Sequence, residues 1–187
     1  MTNLTAKPLG LAGAFTLHTQ ISTQPNGRFS NFYSERDFSA LGCGGRYVQE
    51  HASCYALKHT VRGLHFQTAP RPQTKIVRVA QGRIHDVVVD IRRGSATYGQ
   101  HASVELSAGH AVQLHVPPGF AHGFCTLEPD TEIVFRLSDY NEPDLLRGLR
   151  WDDPALGIVW PCGAAPGFVF PVDQDWPLLA DLDTPFA

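Results

Sequence analysis

The chain has 187 residues, 43% of them hydrophobic, and a formal net charge of −3. That apolar share excludes a disordered chain, and the near-balanced charge gives no electrostatic footprint for nucleic acid. No run approaches the ~20 apolar residues of a membrane-spanning helix, and the length fits one domain over residues 1–187.

In chain order, Met1–Pro8 lacks the charged and apolar regions of a secretory leader, so a cytoplasmic protein is expected. Ser34–Leu41 reads as a short helix, with Ser34 as N-cap and Glu35 and Asp37 in the first turn. Gly42, Gly44 and Gly45 end it. They are not a phosphate loop, because no strand-to-helix pattern surrounds them.

The middle of the chain is β-rich. Thr74–Val79, Ile84–Ile91, Ser103–Leu106, Ala111–Val116 and Glu132–Leu137 read as strands. Gln81-Gly82, Ser107-Ala108-Gly109, Pro117-Pro118-Gly119 and Glu128-Pro129-Asp130 separate them as turn signals. Short strands at regular spacing predict an antiparallel sandwich or barrel. The tail from Pro154 carries Trp160, Phe168, Phe170 and Trp176 and is expected to pack across that barrel. Cys43, Cys54, Cys125 and Cys162 form no C-x-x-C pair and are expected to be free thiols.

The densest group of polar residues within an apolar run is Val61-Arg62-Gly63-Leu64-His65-Phe66-Gln67. Strict alternation puts residues three apart on opposite faces, unless Gly63 permits a bulge that re-aims one of them. Further along stand Lys75-Ile76-Val77-Arg78, Gly82-Arg83-Ile84-His85-Asp86-Val87-Val88-Val89-Asp90-Ile91-Arg92, Pro117-Pro118-Gly119-Phe120-Ala121-His122-Gly123-Phe124, and Gly148-Leu149-Arg150-Trp151-Asp152-Asp153.

These five blocks, in this order and spacing, resemble the dTDP-4-dehydrorhamnose 3,5-epimerase family over about Gly27 to Asp181. The resemblance implies a mainly β, cupin-type jelly-roll barrel with short helical segments near both ends. It also implies a homodimer, no metal or organic cofactor, and a nucleotide-linked 4-keto-6-deoxyhexose as substrate. His65 would be the base that removes the proton beside the ketone. Asp175 would orient it, with Asp173 as the alternative register, and Lys75 would hold the enolate oxygen. Arg62, Asp86, His122 and Tyr140 would shape the pocket. The chemistry fits these residue types: neutral imidazole accepts a proton near pH 7, and a compact cation stabilises an enolate.

The sequence departs from the family pattern at three places. Phe135 occupies the position of the family's acid, a Tyr. Three readings follow: action at C-3 only with another donor, a 3,5-epimerase with Tyr140 or water as acid, or a related ketoisomerase or non-catalytic sugar-nucleotide binder. In Gln24-Pro25-Asn26-Gly27-Arg28-Phe29 the family Arg is replaced by Asn26, leaving Arg28 and Phe29 as the substrate-binding candidates. In Gln49-Glu50-His51-Ala52-Ser53 the candidates Gln49, Glu50 and Ser53 are kept, but the family Asn is His51. The nucleotide is therefore open between dTDP and another such as GDP or CDP. His85 and His115 are open to a pocket position, whereas His18, His59, His101 and His110 are expected at the surface. No H-x-H pair of a metal cupin is present. Trp151 and Trp160 read as core anchors.

Overall fold

The computed structural model describes residues 4–187, so Met1–Asn3 of the segment scanned for a leader lie outside the described residues. The elements are β1 (Leu4–Pro8), β2 (Phe15–Thr19), β3 (Ser22–Gln24), β4 (Gly27–Phe29), α1 (Glu35–Ala40), β5 (Gln49–Tyr55), β6 (Thr60–Gln67) and β7 (Lys75–Gln81). Then follow β8 (Arg83–Asp90), β9 (His101–Ser107), β10 (Val112–Val116), β11 (Phe120–Thr126), β12 (Thr131–Leu137), β13 (Leu146–Gly148), β14 (Phe168–Val169) and α2 (Pro171–Gln174).

Two sheets face each other as a jelly roll. The first runs β1-β2-β10-β7-β12-β5, and the second runs β13-β6-β11-β8-β9 with β14 parallel to β6. A small β3–β4 hairpin stands apart from both. Alternation sorts the side chains. Val77, Val79, Leu114, Ile133, Phe135 and Leu137 of the first sheet meet Ile84, Val88, Phe120 and Phe124 of the second in one core. Ile76 faces the other way, toward Leu17 and Phe38 of a smaller cluster under α1. Ser34 caps α1 by accepting from the Asp37 N–H, as its sequence predicts.

The second sheet is buried on both faces. Val61, Leu64, Phe66, Val87, Val89, Ala121 and Cys125 on its outer side pack under Leu149, Leu156, Trp160 and Leu182 of the tail. This explains why β8 reads as an almost continuous apolar run and why all seven residues of β11 are buried. Trp160 is the tail's anchor: its indole N–H donates to the Trp151 carbonyl at 2.8 Å. The four cysteines are free thiols. Among the described residues no helix is long and apolar enough to cross a membrane.

Three histidine placements differ from the surface expectation: His18, His59 and His101 are half-buried, and His110 alone of the four is exposed. His85 and His115 lie outside the space between the sheets. His85 packs edge-on against Trp160, and His115 stacks on Phe15 with Nδ1 3.1 Å from the Gly13 carbonyl.

Gly63 holds the junction between β6 and β11. Its φ is +115°, and a Cβ there would lie 2.6 Å from the Gly123 Cα and 2.8 Å from the His122 carbonyl oxygen. Both neighbours are backbone and cannot swing aside. Gly63→Ala is expected to lower unfolding free energy on the order of 2 kcal/mol or more, measured by chemical denaturation.

Candidate active site

The pairing of β6 with β11 slips between His122 and Phe124: His122 lies opposite His65, but Phe124 lies opposite Arg62. This bulge changes which face Arg62 presents. Two residues that alternation would separate now line one cavity of about 210 Å³ between the sheets. The second sheet contributes Arg62, His65, His122 and Phe124, and the first contributes Lys75, Phe135, Leu137, His51, Ser53 and Tyr55. Gln73, Asn141 and Leu146 complete the rim.

His65 Nε2 is hydrogen-bonded to Asp173 Oδ1. Asp173 is fully buried, and its other oxygen accepts from the Gly63 N–H at 3.0 Å, with Arg62 Nε 3.4 Å away. The Trp176 indole N–H also donates to Oδ1, at 3.3 Å. Burial works to raise the Asp173 pKa, but the bonds from His65 and Gly63 and the Arg62 charge outweigh it and leave it below the ordinary carboxylate value. Burial pushes His65 below its usual 6.5, against the upward pull of Asp173. An ionised carboxylate only accepts, so Nε2 carries the hydrogen. Nδ1 then holds the lone pair that can take a proton. Arg62 is fixed from a second side, its guanidinium 3.7 Å above the Phe170 ring.

The orienting carboxylate is thus Asp173, which corrects the expectation of Asp175. α2 advances by roughly 100° per residue, so residues two apart point to nearly opposite sides. With Asp173 turned inward under β6, Asp175 falls at the C-cap and is exposed.

Lys75 donates from Nζ to the His65 carbonyl oxygen at 3.3 Å. Desolvation lowers its pKa to about 8, with Asp86 pulling the other way. Asp86 is buried behind His122, accepting from its Nε2 at 2.6 Å, and so orients that ring instead of lining the cavity. Phe135 forms part of the wall facing the second sheet. It lies edge-on to His122, with ring centroids 6.1 Å apart, and carries no hydroxyl.

Of the residues singled out in sequence, Arg62, His65, Lys75, Ser53, His122 and Phe135 meet in this cavity. Besides Asp86 and Asp175, five others do not line it. Glu50 alternates outward on β5 and pairs with Arg136 at 2.6 Å. The Gln49 side chain is spent on the Asn141 N–H at 2.8 Å. Tyr140 is 51% exposed, and its carbonyl accepts from Gln67 and Gln73. Arg28 and Phe29 belong to the β3–β4 hairpin and line a separate surface cavity with Phe32 and Gly109. Tyr55, Gln73, Phe124, Asn141 and Leu146 were not singled out. For Tyr55 a signal existed: it stands two residues beyond Ser53 and therefore shares its face. Among the described residues no cluster of three or more His, Cys, Asp or Glu is placed to hold a metal ion.

The model of the dTDP-4-dehydrorhamnose 3,5-epimerase family matches residues 8–181. The chain belongs to this family. The dTDP-4-dehydrorhamnose 3,5-epimerase of Sinorhizobium fredii is 47% identical over 135 residues, covering 72% of this chain and 69% of the relative. The crystal structure of the Bacillus anthracis enzyme of that name, with TDP and PPi bound, has a TM-score of 0.90 at 37% identity. It covers 94% of this chain and 99% of that one. A dTDP-4-dehydrorhamnose 3-epimerase from Streptomyces niveus is 33% identical over 176 residues, 94% of this chain and 84% of the relative. Epimerases of both regiochemical names therefore resemble the chain, and the cupin-type fold expected from the sequence is the one observed.

Asp173→Asn removes the contribution that holds the His65 pKa up while leaving the burial that lowers it. The His65 titration, followed by the imidazole resonances in NMR, is expected to move further below 6.5 in this variant. An unchanged titration would mean that Asp173 does not govern the ring.

Proposed function

We propose that this chain is a C-3 epimerase of a dTDP-linked 4-keto-6-deoxyhexose. The observation that carries the reading is the His65–Asp173 pair facing a cavity shared with Lys75 and walled by Phe135. The nucleotide is proposed from the names of the relatives and from the TDP in the Bacillus anthracis structure.

A proton beside a ketone is acidic because its electron pair can delocalise onto oxygen. His65 Nδ1 removes the C-3 proton, and Asp173 stabilises the imidazolium that forms. The electron pair moves to the C-4 oxygen, where the Lys75 ammonium offsets the charge in a site sheltered from water. Arg62, held by Asp173, presents a fixed donor to the sugar, and His122, whose Nε2–H is spent on Asp86, presents a fixed acceptor in its Nδ1 lone pair. The imidazole and the ammonium supply this chemistry without a metal or organic cofactor. The protein is proposed to act as a homodimer in the cytoplasm.

Phe135 favours action at one carbon. A 3,5-epimerase must reprotonate two centres, and the wall that would face the second carries a phenyl ring. Tyr140, the other candidate donor, has an outward ring.

The test is incubation with a dTDP-4-keto-6-deoxyhexose in deuterium oxide, followed by NMR. Deuterium is expected at C-3 alone. Exchange at both C-3 and C-5 would overturn single-site action, and no exchange would overturn the enzymatic reading. His65→Ala is expected to reduce exchange by roughly 10²–10⁴-fold. Phe135→Tyr is expected to add inversion at C-5, and an unchanged product would break the link to that position.

The pH profile provides a further check. Neutral His65 is lost as pH falls through its depressed pKa, and cationic Lys75 is lost as pH rises through about 8. A bell-shaped kcat/KM profile is expected, with its alkaline limb near 8. Lys75→Arg should move that limb upward, because guanidinium keeps its charge.

A further inference from the structure

Inversion at C-3 needs a proton delivered to the face opposite the base, and Phe135 cannot deliver it. His65 belongs to the second sheet, so the donor must come from the first. Three titratable side chains of the first sheet line the cavity: Lys75, His51 and Tyr55. Lys75 reaches across to the His65 carbonyl and sits on the side of the enolate oxygen. His51 and Tyr55 both project inward from β5, four residues apart.

Register separates these two. His51 lies directly across from Phe135, and their rings stack with centroids 5.2 Å apart and planes at 27°. Tyr55 lies across from Thr131, roughly 13 Å further along the strand, and packs edge-on to Phe124 of the second sheet. The imidazole is therefore the proton-carrying group beside the wall where the phenyl ring offers none. We propose that His51 is the proton donor on the face opposite His65. This rests on the epimerase reading and names a catalytic residue for it.

The proton balance is simple. The C-3–H bond breaks toward His65 Nδ1, and its electron pair enters the enolate. A new C-3–H bond then forms on the other face from the His51 ring N–H, leaving an imidazolate. Water takes the proton from His65 and returns one to His51. Burial and the nearby Lys75 charge hold His51 below its usual pKa, so the ring is neutral near pH 7. A neutral imidazole serves as electrophile in a known enolising enzyme, and a neighbouring cation makes its N–H more acidic and steadies the anion left behind.

The test separates exchange from inversion. Each variant is incubated with the dTDP-4-keto-6-deoxyhexose in deuterium oxide, and NMR follows both deuterium at C-3 and the appearance of the inverted sugar. In His51→Asn, inverted product is expected to fall about 10²-fold, while deuterium still enters the uninverted substrate through His65. Phe135→Tyr in the His51→Asn background is expected to restore inversion at C-3, since a phenol then stands at the same wall. Inversion at the wild-type rate in His51→Asn would overturn the proposal, as would loss of exchange together with inversion in both His51→Asn and the double variant. Loss of inversion in Tyr55→Phe with His51→Asn unaffected would move the donor to Tyr55. A wild-type protein that shows no exchange sinks the epimerase reading itself, whereas normal exchange with a silent His51→Asn sinks only the donor.

Discussion

The fully buried Asp173 carboxylate is the constraint around which the rest of the site is arranged. A buried anion without partners is costly, and this one is satisfied mainly by groups from β6, namely the Gly63 N–H, His65 and, as an ion pair, Arg62, with the Trp176 indole N–H added from the tail. The same contacts give His65 its tautomer and hold it still. Catalytic orientation and the satisfaction of a buried charge are therefore one set of contacts. The tail that carries Asp173 also covers the outer face of the second sheet, so the packing that makes the sheet stable is what makes the carboxylate buried.

Much of this was legible locally. β7, β8, β10 and β12 show in the sequence because each alternates or runs apolar between turn signals. β11 was visible only as a motif, since burial on both faces and Gly123 erase its alternation. β5 was silent as a strand: Gln49–Tyr55 is an edge strand of His, Ala, Ser and Cys with no β-branched residue. This strand brings Ser53, Tyr55 and His51 into the cavity.

The site shows the same limit. Arg62, His65, Lys75 and His122 lie in dense local patterns, and Gly63 announced the bulge that lets the first two share a pocket. Asp173 and Asp175 could not be separated, because nothing around Pro171–Asp175 says which side of a single turn faces inward. That choice is made by a contact spanning 108 positions of the chain. Likewise Tyr140 sits where the family pattern places a pocket residue, yet Gln67 and Gln73 hold its backbone and its ring turns outward.

That long-range contact bears on how the protein comes into being. Chains are synthesised from the N-terminus, and folding begins before synthesis ends. Every strand of both main sheets precedes Asp173 in the chain. A nascent barrel can thus acquire its base, its lysine and its pocket walls before anything fixes the imidazole. Until the tail docks, the Gly63 N–H lacks its acceptor and His65 is free to rotate. Docking of the segment that carries Asp173 is thus a maturation step, and a barrel halted just short of it would have a pocket without an oriented base.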